Sequence, residues 1–347
     1  MKRVLILILS AIMAVSLSSC VTSSRETEVV PNRAEGMVTD EVSAAESTER
    51  EPEEQSMTEQ YTKETRISEV LSDPVFGDYR RLIFPVDSSY YSGTTLGDLR
   101  LTWYNYIDPD KTVETCNYMR DHVVNGDVIF YDIYTEEEKK ADPAKNDTGL
   151  FFFRGGSGAK FAVINAGGGF AYVGAMHDSF PHALELSQMG YNAFALIYRP
   201  GAQTACEDLS RSIAFIFEHA GELEVDTDSY SLWGGSAGGR MADWVGTYGT
   251  DNFGEKAYQK PAAVIVNYTG LSEVTGYEPP TYSAVGTNDG IANWRTMKAR
   301  LDSMSEMGIP TEFHSYDGLP HGFGLGNGTV AEGWIDDAVG FWENNMN

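Results

Sequence analysis

From Phe161 onward the chain alternates short apolar runs with stretches of helical period, and that alternation narrows the fold class more than any other feature. The runs "FAVINA" (Phe161–Ala166), "NAFALIY" (Asn192–Tyr198), "SYSLW" (Ser229–Trp233), "AAVIVNY" (Ala262–Tyr268), "TYSAVG" (Thr281–Gly286) and "TEFHSY" (Thr311–Tyr316) predict strands. "DVIFYDIY" (Asp127–Tyr134) and "GLFFFRG" (Gly149–Gly155) predict two earlier ones. Between them, "SFPHALELSQMG" predicts a helix with Ser179 as N-cap, Pro181 in its first turn and Gly190 as its stop. Further helices are predicted over Ala205–Ala220, with Leu209, Ile213, Ile216 and Phe217 on one face, and over Ala237–Thr247, Asn293–Met307 and Ala331–Asn344. Strands that are apolar throughout must be covered on both faces. The expected fold class is therefore α/β, a mainly parallel central sheet with helices on both faces.

In such sheets, sites form at the carboxyl ends of the strands. "LWGGSAGG" (Leu232–Gly239) places Ser236 directly after a strand and at the start of a helix. With 35 glycines in 347 residues, a G-x-S-x-G pattern needs that context to carry weight. Gly234 and Gly238 suit a turn too sharp for side chains, and the helix N-terminus behind Ser236 favours developing negative charge. A serine hydroxyl needs a base. His321, in "GLPHGFG", follows the last strand, and Asp289, in "GTNDG", follows the strand ending at Gly286. The order Ser, Asp, His is that of one large hydrolase class. "NAGGGF" (Asn165–Phe170) offers backbone N–H groups that can approach a reacting oxygen closely. It lacks the spacing of a phosphate-binding loop. "RGGSGAK" (Arg154–Lys160) also sets a serine, Ser157, among glycines, but it lies between two strands and predicts a turn.

Together these residues resemble the α/β-hydrolase superfamily over about Asp127–Asn344. The glycine-rich loop resembles the "HGGGF" segment of hormone-sensitive-lipase-like esterases, with Ala166 standing where that segment has histidine. The chain is also similar to bacterial carbohydrate-ester and prolyl-oligopeptidase-related enzymes. The resemblance implies an α/β-hydrolase fold in which Ser236 attacks, His321 is the base and Asp289 orients it. It also implies that Gly168, Gly169 and Ala237 donate to the oxyanion. Phe170 and Tyr172 are candidate pocket walls, or core residues. No metal or organic cofactor is expected. The leading expectation is a serine esterase acting on short-chain acyl (acetyl) esters of a small molecule or carbohydrate. A serine peptidase and a non-catalytic surface binding protein are the alternatives.

The first twenty residues, "MKRVLILILSAIMAVSLSSC", have a basic start, an apolar stretch and small residues before Cys20. "LSSC" resembles a bacterial lipobox. It implies that residues 1–20 are a lipoprotein signal peptide and that lipidated Cys20 anchors the protein to the bacterial cell membrane, outside the cytoplasm. An ordinary secretory signal and an uncleaved anchor are the alternatives. Residues 21–66, rich in Ser, Thr and Glu, predict a disordered stalk. Residues 67–126 predict an N-terminal extension or partial lid, with Trp103, Tyr104, Tyr106 and Tyr118 as a sugar-stacking surface or an accessory layer. Residues 127–347 form the expected catalytic domain. A formal net charge of -26 argues against nucleic acid as a partner, and leaves the lipid anchor as the expected membrane contact. Cys116 and Cys206 are expected to be buried thiols or one disulfide. The six histidines lack metal-ligand spacing, and His177 is expected at the surface with His182 in a first helical turn.

Overall fold

The apolar runs required cover on both faces, and they have it in the structure, a computed structural model that describes residues 60–346 except 105. The expected signal peptide, Cys20 and the stalk up to residue 59 lie outside the described residues. The described chain begins with α1 (Ile67–Ser72), a small antiparallel pair β1 (Tyr91–Ser92) and β2 (Arg100–Leu101), then α2 (Pro109–Val124). Next come β3 (Phe130–Tyr131), α3 (Glu136–Ala141), β4 (Gly149–Phe153) and β5 (Ala159–Asn165). The alternation continues with α4 (Ala175–Asp178), α5 (Phe180–Gln188), β6 (Asn192–Ile197), α6 (Ala202–Glu218) and α7 (Ala220–Leu223). It ends with β7 (Val225–Gly235), α8 (Ser236–Tyr248), β8 (Ala263–Asn267), β9 (Thr281–Gly286), α9 (Trp294–Glu306), β10 (Thr311–Tyr316) and α10 (Trp334–Asn344).

Among the described residues the main sheet has eight strands in the order β10-β9-β8-β7-β5-β6-β4-β3. Neighbours from β10 to β6 pair in parallel, whereas β4 pairs antiparallel with both β6 and β3. Parallel pairing needs long crossovers, and the helices supply them. Alternation along β7 assigns its two faces. Tyr230 meets Phe217 of α6, while Trp233, three residues on, packs against Trp334 and Trp342 of α10. Every residue of β4, β6, β8 and β9 is buried as a result.

Two expectations need correction. The chain is anchored from before Arg66: Tyr61 is buried, exchanges backbone hydrogen bonds with the Asn117 side chain at 2.7 and 2.9 Å, and donates its hydroxyl to Asp73. One aromatic ring in a polar stretch is enough to seat it. Ser179 stands at the N-cap of α5 as expected but makes no side-chain capping bond, and Pro181 at the second helical position has no N–H to offer it. His177 and His182 are both buried, covered by α10 and the loop before it. Cys116 and Cys206 are free buried thiols. Of the four aromatic residues between 103 and 118, Trp103 and Tyr106 are exposed. Tyr104 is 1 % exposed, and Tyr118 stacks on Phe153.

Two buried ion pairs tie elements together. Arg300 of α9 donates to Asp243 of α8 at 2.7 Å. Arg199, after β6, binds Asp208 of α6 through its side chain and backbone, and Tyr134 donates its hydroxyl to the same carboxylate at 2.7 Å. Removing one partner leaves the other buried and charged. Arg300 meets no other carboxylate among the described residues, so Asp243→Ala should destabilise the protein by about 3–5 kcal/mol in urea unfolding, and a loss below about 1 kcal/mol would contradict this account.

Candidate active site

At the junction of β7 and α8, Ser236 has φ 52°, a left-handed backbone that side-chain-bearing residues seldom adopt. The turn is closed too tightly for neighbours with side chains. A Cβ on Gly234 would overlap the backbone of Gly238, and one on Gly238 would overlap the carbonyl oxygen of Asn165. The G-x-S-x-G pattern is thus a packing requirement of the turn. It lifts the hydroxyl above the sheet edge while the N-terminus of α8 points at it.

The other two polar residues come from neighbouring strand ends. Thr287 N–H donates to Tyr316 O at 2.8 Å and Asn288 N–H to Leu319 O at 3.0 Å, so the loops after β9 and β10 are laced together. This sets Asp289 Oδ2 2.8 Å from His321 Nδ1, and His321 Nε2 3.0 Å from Ser236 Oγ. Asp289 Oδ1 accepts the N–H groups of Ile291 and Ala292, both at 2.7 Å. Held in this way, the carboxylate fixes an Nδ1–H tautomer and leaves the Nε2 lone pair facing the hydroxyl. Ser236, His321 and Asp289, the three residues singled out in the sequence, are thus brought within hydrogen-bond distance of one another in turn.

The glycine loop lies against Ser236: a Cβ on Gly167 would sit 3.0 Å from the Ser236 Cβ. Gly167 N–H is already engaged, donating to Asp178 Oδ2 at 2.9 Å. The amides of Gly168 and Gly169 meet no acceptor among the described residues. Ala237 is the second residue of α8, where backbone N–H groups lack an intrahelical acceptor. Of the candidate oxyanion donors, Gly168 and Gly169 follow Gly167 in the loop that touches Ser236, and Ala237 follows the serine itself. Phe170 is half-buried and stacks on Trp244, whereas Tyr172 is turned inward, stacked on Tyr90 at 4.8 Å. Tyr172 thus lines a small apolar cavity with Leu82, Phe84 and Tyr198. Ser157 occupies the turn between β4 and β5.

Sequence reasoning missed the centre beneath these loops. Asp178 accepts hydrogen bonds from Gly167 N–H, from Tyr268 at 2.5 Å and from Tyr104 at 3.3 Å. Tyr268 packs edge-on to His321, and Tyr104 fills the space that a Cβ on Gly322 would need. One buried carboxylate thereby joins the glycine loop, the His321 loop and the N-terminal segment. No local spacing announces it, since its partners come from positions 104, 167 and 268.

Burial raises the Asp178 carboxyl to about 6, against the pull of the hydrogen bonds it accepts. Burial also lowers His177 to about 3 and His182 to about 4. The signs oppose one another. Asp178 binds its proton more tightly when folded, so its contribution is lost as pH rises from about 4 to about 6. The histidines bind theirs less tightly, so their contribution grows up to about pH 6.5. Asp178→Asn removes only the first. Thermal unfolding should show a larger rise in Tm between pH 4.5 and 6.5 in the variant than in the wild type; an equal rise would contradict the assignment.

Comparison with known proteins agrees with the fold. The BD-FAE family model matches residues 155–300. None of the curated proteins matches the chain. Among solved structures, an acetyl ester-xyloside bifunctional hydrolase from Caldicellulosiruptor lactoaceticus aligns with TM-score 0.55 and 22% identity, over 62% of this chain and 95% of that one. Thermogutta terrifontis esterase 2 aligns with TM-score 0.53 and 19% identity, over 62% and 93%. MGS-M1, an α/β-hydrolase from a Medee basin deep-sea metagenome library, aligns with TM-score 0.50 and 21% identity, over 57% and 92%. The chain has the α/β-hydrolase fold.

Proposed function

We propose that the protein is a serine esterase that cleaves short-chain acyl esters. The observation that carries this reading is the unbroken contact from Asp289 through His321 to a serine held in a left-handed turn. Ser236 Oγ attacks the ester carbonyl as His321 Nε2 takes its proton, with the imidazolium stabilised by Asp289. The oxyanion is held by Gly168, Gly169 and Ala237 N–H groups. His321 then protonates the leaving alcohol, and water, activated by the same imidazole, hydrolyses the acyl-enzyme. Support from relatives is of the same kind. One solved neighbour is an acetyl ester-xyloside hydrolase, and another, an esterase, was captured phosphorylated by paraoxon. An acetylated carbohydrate is the substrate class we favour, met outside the cytoplasm by a protein held at the membrane through lipidated Cys20.

A fluorophosphonate probe should label the wild type, and 4-nitrophenyl acetate should be hydrolysed. Ser236→Ala should abolish labelling and lower kcat by roughly 10^4-fold or more, and Asp289→Asn by a comparable factor through the wrong imidazole tautomer. A folded wild type that neither labels nor turns over simple esters would refute the proposal. Metabolic palmitate labelling should be present in the full chain and absent in Cys20→Ala; its persistence in the variant would refute the anchor.

A further inference from the structure

Along α8, Ser236, Arg240, Trp244 and Tyr248 are half-buried, while the residues between them are buried. Four-residue spacing returns to nearly the same side of a helix, about 6 Å further along its axis. These side chains therefore form a stripe that starts at the nucleophile. Its borders are the glycine loop and the loop after β8. On one side Phe170, which follows Gly169, stacks on Trp244 at 6.0 Å. On the other, Arg240 Nε donates to Thr269 O at 2.8 Å. A Cβ on Gly270 would lie 3.5 Å from both Arg240 Nη2 and the Cα of Ala292, whose N–H binds Asp289. The guanidinium, carried one helical turn from Ser236, thus lies against the loop after β8, whose Gly270 also meets the loop that carries the acid.

Its charge is unanswered. Arg120, Arg199, Arg211 and Arg300 each meet a carboxylate within 4 Å, yet Arg240 meets none among the described residues, in a chain whose net charge is -26. Only its Nε–H is used, so the terminal N–H groups keep their fork geometry for a planar anion. Burial disfavours the charge here, and arginine nevertheless stays protonated. A half-desolvated, unpaired cation gains more from an incoming carboxylate than an exposed one does.

We propose that Arg240 is an anion-binding subsite and that the preferred substrates are esters bearing a carboxylate, such as acetylated acidic sugars. This rests on the esterase reading above. The carboxylate can belong to the alcohol or to the acyl half, and paired substrates separate the two. 3-Carboxyphenyl acetate is compared with phenyl acetate, and 4-nitrophenyl hemisuccinate with 4-nitrophenyl butyrate. In Arg240→Gln, the anionic-to-neutral ratio of kcat/KM should fall roughly 10- to 100-fold in one pair, the range for loss of a charge-assisted hydrogen bond. The pair that responds names the half. Arg240→Lys should keep part of the ratio. A ratio that changes less than about twofold in both pairs would overturn the subsite. A second measurement needs no variant: benzoate should inhibit wild-type hydrolysis of phenyl acetate competitively and more strongly than benzamide, and equal inhibition would overturn the subsite as well. Absence of turnover on the neutral esters would instead refute the esterase reading, so the two failures are distinct.

Discussion

The site depends on one strained turn. Ser236 can hold a left-handed backbone only because the surrounding structure fixes β7 on one side and α8 on the other. That fixing needs the close approach of α8 to β5, where Gly238 lies against the Asn165 carbonyl. The same approach brings the glycine loop, which continues directly from β5, against the serine. Strand order does the rest. With β7, β8, β9 and β10 adjacent and parallel, their carboxyl ends deliver the serine, the acid and the base to one edge.

A second layer holds these loops in register. Asp178 lies directly under the turn, so close to Gly235 that a Cβ there would strike its carboxylate. By binding Gly167, Tyr104 and Tyr268 together, it links the glycine loop to the side of His321. Burial drives its carboxyl toward the neutral form and the hydrogen bonds oppose that drive. The N-terminal segment takes part through Tyr104, whose ring is stacked on His177 at 4.1 Å and packed against Gly322. The segment that looks least regular in sequence thus contributes a buried support to the site.

Much of this was legible in the sequence where the signal was local. The strand before Ser236, the helix after it and the small residues around it are consecutive, so pattern and sterics pointed the same way. Asp289 and His321 could be placed because each follows a strand whose apolar run is unmistakable. What failed were inferences about polar residues read from their immediate neighbours. His177 looked superficial because "MHDSFPH" has a polar character, yet the loop before α10 covers it. Ser179 holds the N-cap position that the sequence suggested, yet its hydroxyl makes no capping bond. Tyr61 is a lone ring in a Ser/Thr/Glu-rich stretch, and only Asn117 and Asp73, far along the chain, reveal its place.

The sequence by itself determined the fold class, the turn at Ser236 and the strand ends that carry its partners, because periodicity and glycine sterics act between near neighbours. Tertiary structure alone decided that Asp289 and His321 meet at hydrogen-bond distance, that Asp178 joins three distant segments, and that Arg240 stands without a carboxylate. Those outcomes depend on which loops the sheet brings together and on what burial does to a charge. Neither is written in the spacing of residues along the chain.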